Sequence, residues 1–165
     1  MGELSHLNDR GEARMVDVGH KPSVARTAIA EARVRIQPAT ARAILDGTVP
    51  KGDVGAVARI AGIAAAKRTP ELIMLCHPLP IDGAELDVRV DADGLVIVTA
   101  TVRTTARTGV EMEALTAASI SALNIYDMVK GIDPGPTIEQ IRLVSKCKDA
   151  MLRNTTTSPE LPQPR

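Results

Sequence analysis

LDVRVDADGLVIVTATVRTTARTGVEMEALTAASISALNIYDMVKG, residues 86–131, holds a hairpin and then a helix, and these two elements set the fold. Leu86, Val88 and Val90 alternate with charged residues, Asp93-Gly94 supplies a turn, and Val96, Val98, Ala100 and Val102 alternate back. Apolar residues at every second position on both sides of a glycine turn predict a β-hairpin. The helix that follows, from about Val110 to Val129, carries its ionisable groups at its two ends and almost none between them. Arg107, Gly109, Glu111 and Glu113 mark its start, Asp127 and Lys130 its finish, and the middle is a run of small and branched apolar residues. Such a distribution describes a buried helix with a working group at each end.

The flanking chain completes the pattern. Upstream, Ala28, Ala30, Ala32, Val34 and Ile36 fall on one face of a strand over Val24 to Ile36, with Arg33 and Arg35 on the other, although so many alanines would also suit a helix. Glu12 to Val18 reads as a weak strand, and residues 1–11 as a flexible polar arm. Pro38 opens a short helix through Leu45, stopped at Asp46-Gly47. Asp53 is a good N-cap for a helix to about Lys67, whose apolar positions are expected at Val54, Val57, Ile60, Ala61 and Ala64. Thr69-Pro70 breaks it, and Leu72 to Leu75 turns into Cys76-His77-Pro78-Leu79-Pro80. Beyond the Pro134-Gly135-Pro136 break, Ile138, Ile141, Leu143 and Val144 suggest a last strand, and the Thr/Ser/Pro-rich stretch 154–165 reads as disordered. The expected architecture is a single α+β domain over 12–153, a sandwich with helices on one face of a mainly antiparallel sheet.

Composition narrows the functions. Twenty basic residues balance twenty acidic ones, so no overall field favours nucleic acid or an anionic membrane. With no Phe, no Trp and only Tyr126, there is no aromatic platform for stacking bases. The longest apolar run, Val54 to Ala66, is interrupted by Arg59 and is too short to span a bilayer. Two cysteines, Cys76 and Cys147, fit a reduced compartment better than a disulfide framework, and the start lacks a signal-peptide pattern. The chain is therefore expected to be cytoplasmic, with neither nucleic acid nor membrane as partner.

Several groups could carry chemistry. Carboxylates at the first helical turn, such as Glu111 and Glu113, complement the helix dipole without further purpose. Arg107-Thr108-Gly109 just before them, a cation and a flexible backbone beside exposed amides, suits a phosphate or a polar ring. Asp127 and Lys130, at i and i+3, are close enough to form an acid–base pair. Glu113 and Asp127, however, are separated by roughly 21 Å of helical rise, so one helix cannot bring both to one atom of a small ligand. Either the substrate is long or neighbouring subunits complete each other's site, which argues for an oligomer.

His77 sits in a stretch stiffened by two prolines, where packing alone would explain a histidine. Its neighbour Cys76 points to the opposite side of an extended chain, so the two are not expected to share a metal, and no metal site is expected. Lys51, just before a helix start, would either be solvated or have its ammonium disfavoured by the helix terminus. Lys67 and Arg68 complement a helix C-terminus, and could equally grip a polyphosphate.

Taken together, SHLN (5–8), GEARMVDV (11–18), KGDV (51–54), ARIAGIAAAKRT (58–69), LCHPL (75–79), TGVEMEALTA (108–117) and YDMVK (126–130) resemble the cyclic pyranopterin monophosphate synthase family of molybdenum cofactor biosynthesis. The resemblance spans about residues 5–146 in uninterrupted order. It implies a ferredoxin-like α+β subunit assembled as a hexamer of three dimers, with sites at the dimer interface. It implies a lyase that rearranges a 3′,8-cyclised dihydro-GTP to the pyranopterin with release of diphosphate. Asp127 then matches the family's active-site residue, and Lys51 and Lys130 its proton-transferring lysines, with His77 a further catalytic candidate. Leu75-Cys76-His77 and Met112-Glu113 match substrate-binding segments, with Glu111 beside them and Lys146 a matching site lysine. Ring opening and closure need several proton transfers, and a leaving diphosphate needs cations, for which Arg26, Lys67 and Arg107 are further candidates. No cofactor is required, although the carboxylates would tolerate Mg²⁺ arriving with the polyphosphate. The family usually has Lys at the position of Arg107 and a glycine-rich tail after Lys146, where this chain reads Cys147-Lys148-Asp149-Ala150. An alternative expectation follows, a ligand-binding paralogue with weak or no turnover.

Overall fold

A computed structural model describes residues 10–149, so the expectations for an arm before Arg10 and for the stretch from 150 onwards lie outside the described residues. Strand β1 (Val24–Arg35) buries alternate residues from Ala28 onwards, as its two-residue period requires, and Ile36 just beyond it is buried as well. Helix α1 (Pro38–Leu45) begins with proline at its first position. Helix α2 (Val54–Lys67) is capped by Asp53, whose side chain accepts a 2.9 Å hydrogen bond from the Ala56 N–H. The chain then makes one short helix rather than a simple break, α3 (Thr69–Leu72), with proline at its start. Hairpin strands β2 (Gly83–Val90) and β3 (Leu95–Ala106) follow, then α4 (Glu111–Val129) and β4 (Thr137–Asp149).

The four strands form one antiparallel sheet in the order β2-β3-β1-β4. With α1 and α2 between β1 and β2, and α4 between β3 and β4, this is a ferredoxin-like α+β sandwich. The weak strand expected over Glu12 to Val18 is reduced to a single bridge residue, Ala13, because the sheet offers that segment no extended pairing.

Helices α2 and α4 pack side by side, and α4 also lies on β1, β3 and β4. Ala28, Ala30, Ala32, Val34, Val96, Val98, Ala100 and Val102 of the sheet, and Ala114, Ala117, Ala118 and Ala122 of α4, are all buried in one core. Small side chains replace the missing aromatics by letting elements approach closely. At Gly62 of α2 an added Cβ would collide with Leu86 Cδ2 and Ser121 Oγ and lie 3.0 Å from the Ala117 carbonyl oxygen. The Ser121 hydroxyl, fully buried, donates to the Ala58 carbonyl at 2.8 Å and ties the two helices together.

This packing corrects the expected face of α2. Val54, Ala58, Gly62, Ala65 and Ala66 are buried, whereas Ile60 is 69% exposed and Ala64 is exposed. The helix turns its smallest residues inward because α4 leaves no room for larger ones. No helix among the described residues is long and apolar enough to cross a membrane.

At the far end of α4, the buried Asp133 accepts hydrogen bonds from the Gln37 N–H (2.8 Å) and the Gly135 N–H (3.0 Å). Burial alone would raise its pKa, but these backbone donors lower it overall. The carboxylate thereby pins the loop after α4 to the start of α1, fixing where Lys130 stands.

Candidate active site

The predicted site residues, Lys67 excepted, gather at the two ends of α4. At the C-terminal end, Asp127 Oδ1 accepts from Lys130 Nζ at 2.6 Å and Asp127 Oδ2 from Lys51 Nζ at 2.8 Å. Lys51 Nζ also donates to the main-chain carbonyl of Asp127 at 2.6 Å, where the helix exposes its unsatisfied carbonyls. Lys51 is thus held by a carboxylate and a helix C-terminus, not left isolated at the start of α2. The Lys130 and Lys51 hydrogen bonds push the Asp127 carboxyl down to about 2, and Asp127 in turn raises Lys130. The group is an ionised carboxylate held between two lysine donors, all of them exposed to solvent.

At the N-terminal end the two glutamates are driven apart. Glu111 Oε1 accepts from Lys146 Nζ at 2.9 Å. Burial opposes its ionisation, but Lys146 prevails and lowers its pKa. Glu113 is 1% exposed, its Oε1 accepts from the Cys76 thiol at 3.7 Å, and its Oε2 is the one buried side-chain oxygen or nitrogen among the described residues with no partner. Burial raises its pKa. One carboxylate is therefore favoured in its charged form and its neighbour is biased toward the proton-bearing form. Burial, and then the negative charge of Glu113, push the Cys76 thiol up to about 11, so Cys76 is a thiol donor and not a thiolate nucleophile.

His77 Nε2 lies 2.7 Å from the Val16 carbonyl. A carbonyl only accepts, so the ring proton sits on Nε2, and in the neutral ring Nδ1 is left as an acceptor. The loop bearing His77 is anchored further on by the buried Thr104, whose hydroxyl donates to the Pro80 carbonyl at 2.5 Å. Arg26 braces the turn into α4, its Nε donating to the Ala106 carbonyl and its Nη2 to that of Arg107, each at 3.1 Å.

These groups surround two adjoining hollows. A recess of about 230 Å³ is lined by Arg26, Thr27, Gly109, Val110, Glu111, Lys146, Cys147 and Lys148. A cleft of about 390 Å³ is lined by Val16, Val18, Lys21, Leu75, Cys76, His77, Thr108, Gly109, Glu111 and Met112. They share Gly109 and Glu111, and a Cβ on Gly109 would collide with the Glu111 carboxylate, so glycine here leaves that carboxylate its place. Arg107 lines a third hollow on the far side of His77, with Met15, Pro78 and Thr108.

Residues 15–149 match the MoaC family. The chain belongs to the MoaC family. It is 57% identical over 145 residues to the cyclic pyranopterin monophosphate synthase of Chloroflexus aggregans, covering 87% of this chain and 88% of the relative. With the synthase of Thermomicrobium roseum it shares 54% identity over 147 residues, 88% of this chain and 89% of the relative. The synthase of Roseiflexus sp. is 55% identical over 147 residues, 88% and 93%.

In this MoaC-family chain, then, Asp127, Lys51 and Lys130 form one cluster, and Arg26, Leu75, Cys76, His77, Glu111, Met112, Glu113 and Lys146 border the other, with Arg107 beside it. Lys67 joins neither. It stands on the outer face of α2 with Ile60, Ile63, Ala64 and Arg68. Among the described residues no group of three or more His, Cys, Asp or Glu is placed to hold a metal ion. Sequence reasoning overlooked Val16, Val18 and Lys21, which close over the cleft from a segment without regular structure. No local spacing marks them, because the contact joins Val16 to a histidine 61 positions away. It also overlooked Lys148, although the alternation of Lys146 and Lys148 in a strand was there to be read.

Proposed function

We propose that this chain converts (8S)-3′,8-cyclo-7,8-dihydroguanosine 5′-triphosphate to cyclic pyranopterin monophosphate with release of diphosphate, in molybdenum cofactor biosynthesis. The observation that carries the reading is the convergence of Lys51, from the loop before α2, on Asp127 and Lys130, in a chain 54–57% identical to synthases that bear this name. Two ammoniums about one carboxylate can pass and recover protons while the purine ring opens and the pyran ring closes. Glu111 and Glu113 serve as base and acid at the other end, His77 offers Nδ1 to the substrate, and Leu75, Cys76 and Met112 shape the cleft for the ring system. Arg26 and Lys146 face the phosphates, whereas Arg107 opens on the hollow beyond His77 and Lys67 is too remote on this subunit to join them.

The two clusters stand at opposite ends of a helix of nineteen residues. In this reading they meet across a subunit boundary: the Asp127 cluster of one copy completes the Glu111 cleft of the next, within a hexamer built from dimers. The exposed apolar residues Ile60 on α2 and Ile141, Leu143 and Val144 on the edge strand β4 support such burial between copies. The reaction needs no resident cofactor, and Mg²⁺ would arrive with the triphosphate. Two unpaired cysteines suit work in the cytoplasm. Strand β4 keeps its pairing with β1 through Asp149, so the departure from the family's glycine-rich tail begins within an ordered strand.

Turnover of the cyclised intermediate by the purified chain tests the reading, with diphosphate and pyranopterin both followed. Wild type is expected to form both, and Lys51→Ala and Asp127→Asn to lose about 10²–10⁴-fold in rate while keeping their assembly state. A wild-type chain that binds the intermediate yet releases neither product would overturn it.

A further inference from the structure

We propose that Lys148 is a further substrate-binding residue, the uncommitted cation of a phosphate recess at the start of α4. The inference rests on the function proposed above and adds to it a residue outside the matched motifs.

In the antiparallel pairing of β1 with β4, Arg26 stands directly opposite Lys148, and Ala28 opposite Lys146. Paired residues share a face, as do residues two apart on a strand, so Arg26, Lys146 and Lys148 all project from the helix-bearing side of the sheet. There they line the recess of about 230 Å³ with Gly109, Val110 and Glu111. Against these three cations stands one carboxylate, Glu111, and Lys146 already engages it. Arg26 directs Nε and Nη2 to main-chain carbonyls. Among the described residues no carboxylate pairs with Lys148.

Two like charges placed directly across a strand pair oppose folding unless something between them compensates. The cost is removed by an anion bound in the recess. Helix α4 favours the same occupant, since Val110 offers its first turn no capping side chain and its positive end faces this hollow. The adjoining cleft, reached past Gly109 and Glu111, is larger and lined by Leu75, Cys76 and Met112, so the ring system lies there and the phosphate chain in the recess. Lys148 is a positioning cation for the leaving diphosphate, not a proton carrier, because it lines the recess and not the cleft that holds the ring system.

The test reads diphosphate binding and turnover separately on the same preparations. Calorimetric titration with inorganic diphosphate and steady-state turnover of the cyclised intermediate are run on wild type, Lys148→Gln, Lys148→Arg and, as a surface-charge control, Arg42→Gln. Lys148→Gln is expected to weaken diphosphate binding and raise KM by about tenfold, the loss of one charge-assisted contact, with kcat little changed. Lys148→Arg should restore most of both, and Arg42→Gln should match wild type. Unchanged affinity in Lys148→Gln, an equal loss in Arg42→Gln, or wild type that fails to bind diphosphate would overturn the assignment. Lys148-dependent diphosphate binding without any turnover would leave the recess standing and remove the catalytic function instead.

Discussion

Glu113 shows how one buried side chain can serve chemistry at a cost to the fold. Its spacing from Glu111 was readable in the sequence as two carboxylates on a first helical turn, but not that one would be paired and the other enclosed. That difference comes from Lys146 and Cys76, which lie 35 and 37 positions from the carboxylates they touch. Burial raises the Glu113 pKa above the ordinary value of 4.5. Its protonated form therefore fits the fold better than its ionised form. The stabilising contribution is complete below about pH 4.5 and is lost as pH rises through the folded-state value. Glu113→Gln, uncharged at every pH, should accordingly melt above wild type at pH 8, by roughly 2–4 °C if about 1 kcal/mol is at stake. The gain should vanish toward pH 4.5. A gain that persists or grows in acid would show that the buried carboxylate is not strained. The Asp127 cluster was more legible, since Asp127 and Lys130 sit one helical turn apart, yet Lys51, noted at the start of a different helix, was joined to them only by resemblance until the fold brought it across.

At the level of elements, period-two alternation located β1, β2 and β3 and their buried faces, and Asp93-Gly94 located the turn. Capping logic likewise found the start of α2 at Asp53. What pattern could not supply was the orientation of α2. Hydrophobicity pointed to Ile60 and Ala64, while the helix in fact seats Ala58, Gly62 and Ala65. With apolar residues almost all round, the smallest ones win the contact because α4 presents Ala117 and Ser121 at close range. Gly62→Ala should therefore destabilise the domain by about 1–3 kcal/mol through overpacking, despite alanine's better helix propensity. Urea unfolding would measure it, and an unchanged or raised midpoint would mean that the two helices are not in close contact. The long edge strand β4 was likewise legible in existence but not in exposure, since Ile141, Leu143 and Val144 stay exposed in a single subunit although α4 lies against the strand.

For the whole molecule, the ends-loaded helix is the organising fact. Its middle is buried against sheet and α2, so its functional groups can emerge only at its two ends, some 21 Å apart by helical rise. That separation was predictable from residue numbers alone, whereas the partners at each end needed the folded chain. The central claim is that the two ends serve one site in neighbouring subunits. Asp127→Asn disables one half and Glu111→Gln the other, and each variant alone should be nearly inactive. Refolded or expressed together, the two should recover up to roughly a quarter of wild-type turnover, because random assembly brings two intact halves together at about that share of sites. If each site were built within a single chain, every chain in the mixture would carry a defect, and the mixture would stay as inactive as its components.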